Sequence, residues 1–141
     1  NIHASSSRTS QYTHLLTPTS ITLPTDLWIP ANDFLLPVDS WQYVIGSKIE
    51  MPPKIEFSFE AYYKTMNHLS EYKEGSYYFS VMNDFESNIT QGKGWAWGLE
   101  CITQTSWDKF SGRLAYTYSR SMRKFASLNQ GNPFPYRYEP Y

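Results

Sequence analysis

From Ser40 onward the chain alternates apolar and polar residues with a period of two, and before Ser40 it does not. Over residues 41–50, one side of an extended chain carries Trp41, Tyr43, Ile45 and Ile49, with Ser47 interrupting. The other side carries Gln42, Gly46, Lys48 and Glu50, with Val44 as the exception. Over 54–66 the alternation is cleanest: Ile55, Phe57, Phe59, Ala61 and Tyr63 against Glu56, Ser58, Glu60, Tyr62 and Lys64. Successive strand side chains point to opposite faces, so each segment predicts a strand with one apolar and one polar face. Residues 93–105 repeat the pattern, with Trp95, Trp97, Leu99 and Cys101 opposing Gly94, Ala96, Gly98, Glu100 and Gln104, and with Ile102 breaking the polar side. Residues 111–121 close the series, with Leu114, Tyr116 and Tyr118 opposing Arg113, Ala115, Thr117 and Ser119.

The intervening segments read as loops. Residues 1–39 open with a Ser/Thr-rich stretch, then carry Pro18, Pro24, Pro30 and Pro37. Proline removes backbone donors and pushes the preceding residue out of the helical region, so a long, well-packed loop is expected. Residues 67–92 are polar, with turn signals at Gly75, Asn83-Asp84 and Gly92 and a possible excursion of sheet at 77–82; residues 122–141 return to Asn, Gly and Pro. The division is a loop at 1–39, a hairpin at 40–66, a loop at 67–92, a hairpin at 93–121 and a loop at 122–141. Turns at 51–53 and 106–110 are short, while the other connections are long.

Unequal connections of this kind are expected of an up-and-down membrane barrel, whose short turns lie on one side and long loops on the other. Strands of about 10–13 residues are close to the roughly 9–11 that cross hydrocarbon at a tilt. Aromatics gather near strand ends at Trp41, Trp95, Trp107 and Phe110, as amphipathic rings do at a water–lipid boundary. A soluble antiparallel sheet with one wet face predicts the same alternation. That alternative is a β-domain binding carbohydrate or protein through exposed aromatics such as Trp95 and Trp97.

Composition narrows the field. The 141 residues carry 12 Lys+Arg and 13 Asp+Glu, a net charge of −1, which lacks the cationic excess that nucleic-acid binding requires. Aromatic residues make up 18%, too many for a disordered tail. No apolar run approaches the length of a membrane helix, and residues 1–10 lack the order of a signal peptide. Catalysis has little support. His3, His14 and His68 have no metal-ligand spacing with one another or with Cys101, the single cysteine. Asp26, Asp33 and Asp39 share one loop without a groove signal. Cys101 falls on an apolar face, where a buried inert thiol is expected. Asn88-Ile89-Thr90 matches a glycosylation acceptor, a motif common by chance. No enzyme activity, metal or cofactor is expected.

Gly92-Lys93-Gly94-Trp95-Ala96-Trp97-Gly98-Leu99-Glu100 resembles the G-x-G-x-x-x-G-x-E segment of TonB-dependent outer-membrane receptors, especially those with a carboxypeptidase-like regulatory domain ahead of the plug. Ser111-Gly112-Arg113-Leu114 with Tyr116-Thr117-Tyr118-Ser119-Arg120-Ser121 is similar to that family's following strand. Phe125, Asn129-Gln130-Gly131 and Phe134-Pro135-Tyr136-Arg137-Tyr138 are similar to the loop after it. Upstream, Gln11-Tyr12-Thr13-His14-Leu15-Leu16, Leu23-Pro24-Thr25-Asp26-Leu27-Trp28, Glu60-Ala61-Tyr62-Tyr63-Lys64 and Glu71-Tyr72-Lys73-Glu74-Gly75 resemble the family in the same order. The departure is at Glu139-Pro140-Tyr141, where the family usually has an acidic-basic-basic-His run.

The resemblance implies an all-β fold: antiparallel up-and-down strands forming part of a transmembrane β-barrel, about four spanning strands with long extracellular loops. Such receptors close about 22 strands around an N-terminal plug, so the chain would be a segment from the later part of the barrel. It implies a bacterial outer-membrane location. The implied partners are outer-membrane lipid, the rest of the barrel and the plug, indirectly the TonB energising complex, and a small nutrient ligand of unknown identity. In that setting Glu56, Glu60, Lys64, Glu100 and Arg113 would face the lumen, solvated or paired across its wall, and Trp28, Phe34 and Phe134 are candidates for contact with ligand in the loops, with packing of the loops onto themselves the plainer expectation for these aromatics. Gly94 and Gly98 would lie on the lumen side, where strand curvature or close approach of the plug explains them.

Overall fold

The computed structural model describes residues 1–16, 27–52, 54–73, 86–107 and 110–136. The expected sheet excursion at 77–82, Asp26, Asp108 and the segment from Arg137 to Tyr141 lie outside them. The chain is all-β, and its principal sheet is antiparallel. Its long strands are β1 (Ile2–Gln11), β4 (Val38–Met51), β5 (Ile55–Tyr72), β6 (Ile89–Trp107) and β7 (Phe110–Phe125). The short ones are β2 (Thr13–Leu16), β3 (Leu27–Pro30) and β8 (Phe134–Pro135). Six strands form one sheet in the order β1-β4-β5-β6-β7-β8, and β2 pairs β3 in a separate hairpin. Among the described residues the sheet is open, with β1 at one edge and β8 covering only Met122 and Arg123 of β7 at the other.

The alternating segments form strands as expected, each longer than its pattern. Met51 opposes Ile55 and Trp107 opposes Phe110, so each of these strand pairs is joined by a short connection. The reading of residues 1–39 as irregular is corrected: Ile2–Gln11 is a ten-residue strand paired along its whole length with β4. Its sequence, rich in Ser and polar on both sides, gives no alternation to read. It is a strand because β4 offers it a row of backbone hydrogen-bonding groups. The principal sheet therefore holds five long strands rather than four.

A β-bulge at His68 corrects the expected loop over 67–92. Asn67 opposes Lys93 and Leu69 opposes Gly92, leaving His68 as the extra residue. His68 has φ of 58°, and its Nδ1 lies 3.1 Å from the Pro37 carbonyl oxygen. The insertion reverses the facing of everything beyond it. Leu69 thereby joins Phe125 and Leu128, with Met66, Val38 and Phe134, in one buried cluster on the charged side of the sheet. On the other side Ile89 and Tyr72 meet Leu16, Leu35 and Ile29, which docks the β2–β3 hairpin. Among the described residues, buried apolar side chains are confined to this end of the sheet, above the alternating segments.

Candidate functional site

Residues directly opposite one another in antiparallel strands share a face, so the register assigns every strand side chain to one of two surfaces. One surface unites all five sequence-predicted polar residues. Glu56 opposes Gln104, which opposes Arg113; Glu60 opposes Glu100; Lys64 lies between Gln42 and Ala96. Val44 and Ile102 occupy this face as its apolar exceptions.

Its ion pairs involve partners that alternation alone did not supply. Lys48 Nζ lies 2.9 Å from Glu56 Oε2 and 3.9 Å from Glu50 Oε1. His3 Nε2 lies 3.4 Å from Glu60 Oε2. These side chains keep substantial solvent exposure, so each pair adds little stability. Lys64, Glu100 and Arg113 have no ion-pair partner among the described residues. At the tight-turn end, an open depression of about 480 Å³ is lined by Lys54, Glu56, Gln104 and Arg113, which brings two of the predicted residues together.

The glycines of this face are occupied from within. A Cβ on Gly98 would stand 2.6 Å from Cε1 of Tyr62, and one on Gly94 would stand 2.8 Å from Cδ1 of Leu69. These contacts give both glycines a reason within the sheet itself. Tyr62 lies across the cross-strand glycine as an aromatic covering a gap in the pleat.

The opposite surface is apolar and open to its surroundings. It carries Trp41, Tyr43, Ile45, Ile49 and Met51 of β4, then Phe59 and Tyr63 of β5, Leu99 of β6, and Leu114, Tyr116 and Tyr118 of β7. All of these are exposed, Leu114 to 73% and Tyr116 to 64%. Cys101 lies among them, partly exposed rather than buried as expected. Trp97 packs against Tyr118 at 5.6 Å between ring centroids, and Trp41 stacks on Tyr43 at 6.3 Å. Among the described residues, charge enters this face only toward the β2–β3 end. There Arg8 Nε donates to Asp39 Oδ1 at 2.8 Å and Arg8 Nη2 to Asp39 Oδ2 at 3.3 Å, while the guanidinium lies 5.6 Å from the Trp41 ring centre.

The loop aromatics divide. Phe134 is packed against Phe125 at 6.2 Å, so it belongs to the buried cluster and not to a ligand mouth. Trp28 pairs across the hairpin with Leu15 on its outward side, 60% exposed, and Phe34, six residues further along the chain, is exposed as well. Behind Trp28, His14 is buried with Nδ1 3.1 Å from Ser70 Oγ, and its Nε2 makes no hydrogen bond of normal geometry among the described residues. Burial pushes the His14 pKa down, opposed by the carbonyls of Leu36 and Leu35. Burial pushes the Glu71 carboxyl up, opposed by Arg123, whose Nη1 is 3.3 Å away. Arg123 also lies over the Tyr136 ring at 3.4 Å.

No group of three His, Cys, Asp or Glu side chains suited to a metal occurs among the described residues. No helix there is long and apolar enough to cross a membrane, which says nothing of strands. Comparison with family models, with curated proteins and with solved structures finds no match to this chain.

Proposed function

We propose that the chain is a wall and loop segment of a bacterial outer-membrane receptor of the TonB-dependent type, serving energised uptake of a nutrient and carrying no catalytic activity of its own. The observation that carries this is the exposed apolar face. Between Trp41 and Met51 it is uncharged among the described residues except at its upper rim, where Arg8 opposes Trp41 and Arg120 opposes Trp97. Ten residue steps rise about 33 Å along a strand, or about 25 Å at a 40° tilt, the height of the apolar band on such barrels. Trp41, Tyr43, Tyr63, Trp95 and Trp97 form a girdle at one rim. A soluble sheet would cover so large a patch with a second layer, and among the described residues no second layer lies over it.

Further support comes from the edges. Among the described residues, the outer side of β1 and β7 below Ser121 have no strand partner, which lipid does not tolerate and further strands of a barrel would satisfy. Lys48, Glu56, Glu60, Lys64, Glu100 and Arg113 then border the water-filled bore, and the β2–β3 hairpin with Trp28 and Phe34 stands on the outer side. The test is extraction from membranes: partition into detergent, with heat-dependent migration on a gel, is expected. Recovery of a stable monomer from detergent-free buffer would instead establish a soluble aromatic-rich binding domain.

A further inference from the structure

Among the described residues, the ionic groups of the apolar face all lie toward the β2–β3 end, and only some are neutralised. One cross-strand row runs Ser10, Asp39, Asn67, Lys93, Lys124. Asp39 is held by Arg8, but Lys93 and Lys124 stand directly opposite each other on β6 and β7. Arg120 follows on the same face, opposite Trp97. Like charges facing across a strand pair repel. Among the described residues none of the three cations has an ion-pair partner, and all three are exposed. Lys93 and Lys124 border an open depression of about 580 Å³, lined also by Tyr63, Thr65, Asn67 and Trp95, and Arg120 lies beside it in the Tyr63–Trp97 row of the girdle. Below it the face offers Leu99, Tyr118 and Tyr116.

The arrangement asks for a ligand with concentrated negative charge at one end and apolar length at the other. We infer that Lys93, Lys124 and Arg120 form a binding site for a membrane lipid with phosphate-monoester headgroups, whose acyl chains lie along Leu99, Tyr118 and Tyr116. A phosphate monoester supplies up to two charges and three acceptor oxygens, enough to engage several cations at once. Free phosphate gains nothing from the apolar rows, so a lipid is the better occupant. This rests on the membrane-wall reading above and assigns that wall a specific lipid contact.

The test uses the membrane-extracted protein in dodecyl maltoside, titrated with diphosphoryl lipid A, with its dephosphorylated form and with inorganic phosphate, followed by tryptophan emission. Saturable binding of the diphosphoryl lipid is expected, with at least tenfold weaker binding of the dephosphorylated form and no response to inorganic phosphate at the same concentrations. Each cation near an anionic headgroup contributes about fivefold, so Lys124→Gln alone should weaken binding about fivefold and the triple variant K93Q/R120Q/K124Q on the order of 100-fold. Equal binding of both lipid forms, or an unchanged affinity in Lys124→Gln, overturns the site. If migration on the gel stays heat-dependent, the membrane-wall reading survives that result. A response to inorganic phosphate alone would make this an anion site and overturn the lipid assignment. Recovery as a detergent-free monomer removes the membrane reading itself.

Discussion

Ile45→Arg separates a lipid-facing wall from a wet sheet in one measurement. Ile45 lies near the middle of the Trp41–Met51 band, 57% exposed, flanked in its row by Ala4 and Ala61. Transfer of an isoleucine side chain out of water is worth about 1.5–3 kcal/mol, so the exposed part retains roughly 1–2 kcal/mol that a bilayer would recover. An arginine at this depth has no carboxylate to meet. The nearest acid on the face, Asp39, is six residues away and already engaged by Arg8. In a bilayer the substitution should cost about 2–4 kcal/mol, a 30- to 1,000-fold loss in folding equilibrium. On a wet surface it should fall within about 0.5 kcal/mol of neutral. Tyr43→Arg, within the girdle and two residues closer to the rim than Ile45, should cost no more than about 1 kcal/mol in the bilayer. The assay is urea unfolding of the membrane-extracted protein in phosphatidylcholine vesicles, read by tryptophan emission and by heat-dependent migration. Equal, near-neutral effects at both positions would refute the assignment of this face to lipid.

Three further predictions concern the upper end of the sheet. A Cβ at Gly92 would stand 2.4 Å from the Lys124 carbonyl oxygen and 2.4 Å from Cδ1 of Phe125, itself only 1% exposed. Gly92→Ala should therefore cost about 1–3 kcal/mol of stability by overpacking, and more than Gly98→Ala, where only the Tyr62 ring must yield; comparing the unfolding midpoints of the two variants tests this. Leu16 is fully buried against Ile89 and Leu35, so Leu16→Ala should cost about 2–5 kcal/mol, expressed as undocking of the β2–β3 hairpin. Hydrogen exchange at Leu15 and Ile29 should rise while the amides of β5 and β6 stay protected. Because the His14 pKa is lowered on docking, the docked hairpin binds fewer protons than the undocked one. Its stability is complete above the ordinary histidine value of 6.5 and declines as pH falls below it toward the docked value. Exchange of the same amides at pH 7.5 and 5.5 should show that loss in the native chain and not in His14→Phe.

The alternation of residues 41–50, 54–66, 93–105 and 111–121 was sufficient to mark four strands and to sort Glu56, Glu60, Lys64, Glu100 and Arg113 onto one surface, because side-chain facing in a strand is local geometry. β1 was not legible: Ser5, Ser6 and Ser7 are no more apolar on one side than the other, and the strand exists through its pairing with β4. The apparent loop over 67–92 hid a continuation of β5 and β6 for the same reason. A single extra residue at His68 reverses the facing, and a bulge is defined by the partner strand rather than by its own sequence. Register likewise decided the pairing of Lys48 with Glu56, the cover of Gly98 by Tyr62, and the meeting of Lys93 with Lys124 from positions 31 apart. Amino-acid order determined which side each residue takes; only the assembled sheet determined its neighbours, since cross-strand contacts join residues that the chain keeps far apart.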